Sequence, residues 1–425
     1  MRLVSYWGDT AAAFADADVG PVGGVVDVAV VGGGFTGLSA ALALAQRGAS
    51  VAVLEAGRVA GEASGRNGGH VNNGTAVDFA SLVARHGLPA ARALYHAYDA
   101  AVDTVERIVR EQQIQCDFRR CGKIKLAAKP EHYDQLARSY ELLHAEADPD
   151  TTLVLPARIR DEVGSDRFHG GLVHAKSAQM HMGRFGAGLA DAAWRAGARI
   201  HENAAVTGLH RLGRAGHRIV TAKGTLTAKQ VLVVTGASVK GPFGYVRRRV
   251  IPVGSFIVAT EPLDPAQLDS IMPTRRNATT TKNIGHYFRI APDGRLIWGG
   301  RARFALSNPA SDVKSGRILE RALHETFPQL GRPRIDYCWG GVVDLTADRL
   351  PRAGEQDGLF YAMGFSGHGT QMSVHMGQAM AAMLAGEASA NPFRGMPWKP
   401  IPGHFGPPWF MPLVGAWYRL QDVLH

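Results

Sequence analysis

The chain has 425 residues and is 46% hydrophobic, enough for two or three domains with a large core. Its 3 cysteines, Cys116, Cys121 and Cys338, are too few and oddly numbered for a disulfide framework, and no C-x-x-C spacing suggests a metal, so no metal site is expected. The formal net charge of +10 would admit an anionic partner, but the densest basic run, Arg247, Arg248 and Arg249, is too short to mark a nucleic-acid tract.

The first 18 residues lack the basic and apolar regions of a signal peptide, and a reducing cytoplasm is the expected compartment. The most apolar window, 25–45, holds Asp27 and a glycine turn. It therefore reads as a buried strand–helix unit, and no integral membrane segment is expected.

The stretch VVDVAVVGGGFTG, residues 25–37, organises the reading. Its β-branched apolar run fits a parallel strand covered on both faces. Gly32, Gly34 and Gly37 follow in G-x-G-x-x-G spacing, for a tight turn, close backbone approach to a pyrophosphate, and helix–strand packing. Leu38, Ala41, Leu42 and Ala45 then recur at helical spacing. A second strand, 50–54, ends on Glu55, a carboxylate placed to accept hydrogen bonds from ribose hydroxyls. Strand, glycines, helix, strand and acid together predict dinucleotide binding.

Residues 61–69, GEASGRNGG, suit neither strand nor helix, but their free amides could cradle an anion or approach a flat ring. Helices are expected at 90–110, 131–147, 186–195 and 317–327. Strands are expected at 123–127, 199–209, 218–222, 225–234, 250–260 and 334–339. The strand 225–234 delivers Gly236 as a small-residue turn near the first site. A hairpin, 283–290 with 295–300 around Pro292-Asp293-Gly294, belongs to an antiparallel sheet. On its first strand Tyr287 and Arg289 point one way, His286 and Phe288 the other. Residues 360–384 repeat the strand, glycine turn and helix, so a helix N-terminus with free amides again faces a ligand.

Three blocks, VGGGFTGLSAALALAQRGASVAVLEA, GEASGRNGG and GFSGHGTQMSVHMGQAMA, resemble the FAD-dependent amine and amino-acid oxidases of the D-amino-acid oxidase superfamily. Within it the likeness is closest to the γ-glutamylputrescine oxidases. SYW near the start, DRLPRAG at Asp348 and the tail from 402 onward also look similar, so the likeness spans nearly the whole chain.

The resemblance implies an α/β fold. A discontinuous Rossmann-type FAD domain (25–110, 165–245, 340–395) would carry an inserted antiparallel substrate domain (111–164, 246–339), with 396–425 as a tail packing on the FAD domain. It implies that Gly32, Gly34, Phe35, Thr36 and Gly37 hold the pyrophosphate and that Glu55 and Ala56 lie at the adenosine ribose. Ser64, Arg66, Asn67, Gly68 and Gly69 would line the pyrophosphate and isoalloxazine, and Val206 would pair its backbone with adenine. Gly236 would complete the first turn, and Gly367, His368, Gly369 and Thr370 would face the pyrimidine edge. Arg66 stands where some relatives carry a flavin-linking His and no Cys sits in these loops, so FAD is expected to be non-covalent; His70 is read as structural.

The implied reaction removes a hydride equivalent from a carbon bearing a neutral amine of a small-molecule amine or amino acid, giving an imine that hydrolyses. Candidates to hold or wall the substrate are His286, Tyr287, Arg289, Trp298, Trp339 and His368, with Asp344 and Phe365 nearby and Arg301 an alternative to Arg289. Oxygen is the expected acceptor. The competing readings are a dehydrogenase passing electrons to a quinone or carrier, with the apolar tail 409–417 touching a membrane instead of packing on the core, and a flavoprotein bound to nucleic acid.

Overall fold

A computed structural model describes residues 1–238, 240–300 and 307–424. The strand Val25–Val31 is flanked in parallel by Val51–Leu54 and Gly224–Val233, and the latter pairs in parallel with Leu359–Met363. Val28, Ala29, Val30 and Val31 are buried on both faces, as a parallel strand requires. Arg199–His201 extends the sheet beyond Val51–Leu54, and the ribbon Val206–Arg211, His217–Thr221, Gly224–Val233 folds antiparallel on the other side. The expected single strand 199–209 is thus broken at 202–205, where the chain turns beside Glu55.

The opening helix Phe35–Gln46 and the closing helix Gly369–Leu384 follow Val25–Val31 and Leu359–Met363, so both begin at the carboxyl edge of one parallel array. They interlock closely. A Cβ on Gly377 would crowd Thr36 and Ser39, and Ser39 Oγ donates to Val374 O at 2.7 Å.

The second sheet runs in the order Ile335–Leu345, Ile251–Pro262, Arg295–Gly300, His286–Ile290, Asn277–Thr280, Lys123–Leu126, Gly171–His174, Thr151–Val154. It is antiparallel except where Asn277–Thr280 meets Lys123–Leu126. One face, with Phe256, Val258, Phe288 and Trp298, packs against the helix Pro309–Thr326. The other, with Ile257, Ala259, Ile297 and Trp339, packs on the core of the first domain.

Two expected boundaries move. Gly171–His174 pairs with Lys123–Leu126 and Thr151–Val154, so the inserted segment continues beyond 164. Residues 340–345 complete the strand Ile335–Leu345 and so belong to the second sheet, while remaining beside the glycine loop. The helix expected at 317 begins at Pro309, capped by Asn308 accepting from Ser311 N.

The tail also departs from expectation. Trp398 and His404 pack on the first domain, but Met411–Leu424 crosses toward the second, where Asp422 accepts from the amides of Asn283 and Ile284 at 2.9 and 2.8 Å. Trp409, Leu413 and Trp417 are 70%, 69% and 57% exposed and do not join the core. Among the described residues no helix is long and apolar enough to cross a membrane.

Candidate functional site

At the first turn Gly32 has φ +114, which a side chain resists, and it abuts the carbonyl of Val234. A Cβ on Gly37 would overlap Gly32 O, so glycine there lets the helix seat on its own strand. Gly34 is the helix N-cap and offers no side-chain cap. Its Cβ position lies 3.0 Å from Ser64 Oγ, which accepts from Phe35 N. Phe35 turns its ring onto Phe185 and Thr36 is buried, so these two present backbone.

Glu55 Oε2 accepts from Gly33 N at 2.6 Å and Oε1 from Gly57 N at 2.8 Å. Burial pushes its carboxyl up while those amides pull it down. Ala56 is exposed beside it. Ala204 N donates to Glu55 O, bringing the turn before Val206 to the same corner. Gly236, at φ +54, follows Val234 beyond the core strand.

Residues 61–69 contain one helical turn, Ala63–Arg66, and are otherwise held from outside. Ser5 Oγ donates to Gly65 O, Trp7 Nε1 to Asn67 O and Trp339 Nε1 to Arg66 O. Arg66 Nε donates to Gly340 O at 2.5 Å, and Asn67 Oδ1 accepts from Gly69 N. The loop therefore sits between the N-terminal segment and the second sheet. Burial pushes His70, with Arg289 nearby, down to about 3, so it is a neutral imidazole.

The second turn is pinned by residues of the preceding strand and loop. Asp344 Oδ2 accepts from Gly364 N at 2.6 Å, and Thr346 bonds to Ser366. Burial raises the Asp344 carboxyl to about 6 against the pull of those amides. The closing helix starts at Gly369 with His368 at its N-cap, where the side chain makes no capping bond to the helix amides. Gln371 Nε2 donates to Asn72 O at 2.5 Å, so this turn meets the end of the glycine loop, next to Gly367, His368, Gly369 and Thr370. The ring of His368 stands 6.2 Å from that of Tyr98 on the helix Leu88–Glu111.

From the second sheet the structure brings Tyr287 and Trp339 to this region. The Tyr287 ring lies against Gly68 and Gly299, and its hydroxyl is 2.9 Å from Ser255 Oγ. Arg289 shares that face but is wholly buried, stacked 5.2 Å from Trp7, with Nη1 donating to Gly69 O. Burial pushes its guanidinium down to about 10. His286 and Trp298 are not brought to the site. They pack on each other at 5.0 Å on the far face, with Trp298 in the separate core, because strand alternation turns them away. Arg301 lies outside the described residues.

Several supporting roles escape a sequence reading. Ser5, Trp7 and Gln371 fall inside stretches that carry the resemblance but no role is read for them, Ser255 lies in none of them, and the half-buried Asp344 pins the turn through Gly364 N.

Two helix N-termini without side-chain caps, opening at the carboxyl edge of one parallel sheet with an acid and a glycine loop between them, define a dinucleotide-binding oxidoreductase fold. The residues present fit FAD: a Cβ would fill the cradle at Gly34, and as N-cap Gly34 places no capping side chain over the opening helix. The family model for FAD dependent oxidoreductase, DAO, matches residues 27–383, and the chain belongs to that family.

It is 33% identical over 425 residues, 99% of this chain and 98% of the relative, to gamma-glutamylputrescine oxidoreductase of Escherichia coli strain K12. It is 27% identical over 378 residues, 86% of this chain and 94% of the relative, to glycine oxidase of Geobacillus kaustophilus strain HTA426. The crystal structure of glycine oxidase from Geobacillus kaustophilus superposes with a TM-score of 0.71 at 22% identity, covering 88% of this chain and 100% of that one.

Proposed function

We propose that the protein oxidises the CH–NH bond of a primary or secondary amine or an amino acid, γ-glutamyl amines included, to an imine that water hydrolyses. Oxygen is reduced to hydrogen peroxide, FAD is held non-covalently, and the work is done in the cytoplasm. The observation that carries the reading is that the first glycine turn bonds to Ser64 of the loop 61–69, the second bonds to Asn72 just beyond that loop, and the Tyr287 ring lies against Gly68 of the same loop. The gamma-glutamylputrescine oxidoreductase and glycine oxidase relatives support the substrate class.

Bound FAD supplies the two-electron chemistry. The protein's part is binding, orientation and exclusion of water. Gly32, Gly34 and the amides of the opening helix hold the pyrophosphate, and Glu55 accepts from ribose hydroxyls. The N-terminus of the closing helix carries roughly half a positive charge, which offsets negative charge at the pyrimidine edge. Tyr287, fixed by Ser255, and the apolar face around Trp339 and Ile257 wall the reacting carbon; such positioning alone is worth about 7–11 kcal/mol. Arg289, sealed behind Gly69, offers no charge to a substrate carboxylate, which favours amines over α-amino acids. The buried Cys116 and Cys338 thiols, both pushed up to about 12 by burial, lie outside the glycine turns, which supports non-covalent FAD.

A peroxide-coupled screen of amines, γ-glutamyl amines and amino acids tests the reading, with flavin bleaching followed anaerobically. Bleaching without peroxide in air would give the dehydrogenase instead. Acid precipitation should release the flavin to the supernatant; flavin that stays with the pellet would overturn non-covalent binding.

A further inference from the structure

A surface helix normally shows water a polar face. The tail helix Met411–Leu424 does the reverse. Trp409, Leu413, Trp417 and Leu420 follow one another at spacings of four, four and three, and all are exposed, with Pro412 and Ala416 between them. The ring of Phe405, 73% exposed, extends the patch. The one acid of the helix, Asp422, is turned away to the amides of Asn283 and Ile284. The outward stripe is therefore a continuous apolar surface holding two indoles, larger than scattered surface apolar residues account for.

The ground beside it is basic. Residues 392–410 pack along 240–250: Ile401 N donates to Arg248 O, Arg249 Nε to Trp398 O, and His404 Nε2 lies 2.8 Å from Val250 O. These two segments carry Lys240, Arg247, Arg248, Arg249, Arg394 and Lys399 and no acid. Arg248, Lys399, Arg394 and Lys240 are exposed. The Arg247 side chain runs against Gly406, between Phe405 and Trp409, so the cationic ground adjoins the apolar stripe.

We infer that this face seats on an anionic lipid bilayer, the tail helix lying in the plane of the interface. Indoles favour the headgroup boundary, the leucines and Phe405 reach the first acyl carbons, and the arginines and lysines meet lipid phosphates. Charge selects this occupant. A second copy would bring another basic patch onto this one, whereas an anionic surface complements it. The inference stands independently of the substrate and acceptor proposed above.

The test uses the full FAD-loaded chain and sedimentation with vesicles of mixed phosphatidylglycerol and phosphatidylcholine, or of phosphatidylcholine alone. Wild type should pellet with the anionic vesicles at low salt, with a blue shift of tryptophan emission, and be released as salt rises. The double variant Leu413→Ser, Trp417→Ser should bind at least tenfold more weakly. So should Arg248→Glu, Lys399→Glu. Both should keep wild-type flavin absorbance, thermal midpoint and turnover of a soluble amine. Wild type that stays in the supernatant would overturn the inference, as would equal binding to phosphatidylcholine. So would a vesicle-independent dimer that the Leu413→Ser, Trp417→Ser change converts to monomer.

Discussion

The two glycine turns stand at the same sheet edge and open helices that touch, yet they are held in opposite ways. The first is closed by its own neighbourhood: Gly37 seats on Gly32, and Glu55, one strand away, bonds back to Gly33. The second is open. A Cβ on Gly367 would meet nothing within 4 Å, and the turn keeps its shape through Asp344 and Thr346, about twenty residues upstream. Local packing thus sets one half of the cofactor site, and tertiary hydrogen bonds set the other.

Substitution should expose that contrast most at the glycines. Gly37→Ala drives a methyl into Gly32 O and should cost about 4 kcal/mol or more, leaving little soluble, flavin-loaded protein. Gly367→Ala, opposed only by its φ of +89, should cost about 1–2 kcal/mol and keep its flavin. Equal losses in thermal midpoint would erase the distinction.

Asp344→Ala comes next, orphaning the Gly364 amide at a cost of about 1–3 kcal/mol. Its Asn counterpart gives a pH test. Burial raises the Asp344 carboxyl to about 6, so the unfolded chain loses that proton first. The stability it contributes is complete below the ordinary carboxylate value and is lost as pH rises through about 6. The midpoint difference, wild type minus Asp344→Asn, should therefore fall between about pH 4 and 6; a flat difference would refute the assignment.

Glu55→Ala should weaken FAD retention about tenfold, by the loss of one charge-assisted bond, while the loaded fraction turns over normally. Titration of the apoprotein with FAD measures it, and normal retention with lost turnover would contradict the role. The smallest effect is expected of Trp7→Phe, which removes the bond to Asn67 O at about 1 kcal/mol and should lower the thermal midpoint by about one degree.

How much of this was legible in the sequence follows the same divide. The first site could be read because its parts lie within thirty residues and each is a special residue: glycines where a Cβ collides, and an acid at a strand end. Alternation also placed Tyr287 with Arg289, opposite His286 and Phe288. It could not say which face meets the cofactor, because both faces of that sheet are apolar: Ile257, Ala259 and Ile297 on one, Phe256, Val258 and Trp298 on the other. Trp298 and His286, expected at the site as hairpin residues, lie together on the second of these faces.

Arg289 reads as a substrate clamp until its burial behind Gly69 is seen. The aromatic tail reads as core by composition, and its outward stripe emerges only once Asp422 is seen to anchor the opposite side of the helix. The strand Gly171–His174, four residues long, carries no signal for its sheet.

The interlock of the opening and closing helices has a consequence for biosynthesis. Phe35–Gln46 leaves the ribosome early, but the helix it grips ends at Leu384, and the strand beside Gly224–Val233 arrives only at Leu359–Met363. The nascent chain must therefore wait for nearly its full length before it can trap a nucleotide, and these distant pairings make the docking of Leu359–Met363 and the helix ending at Leu384 the slow event in maturation.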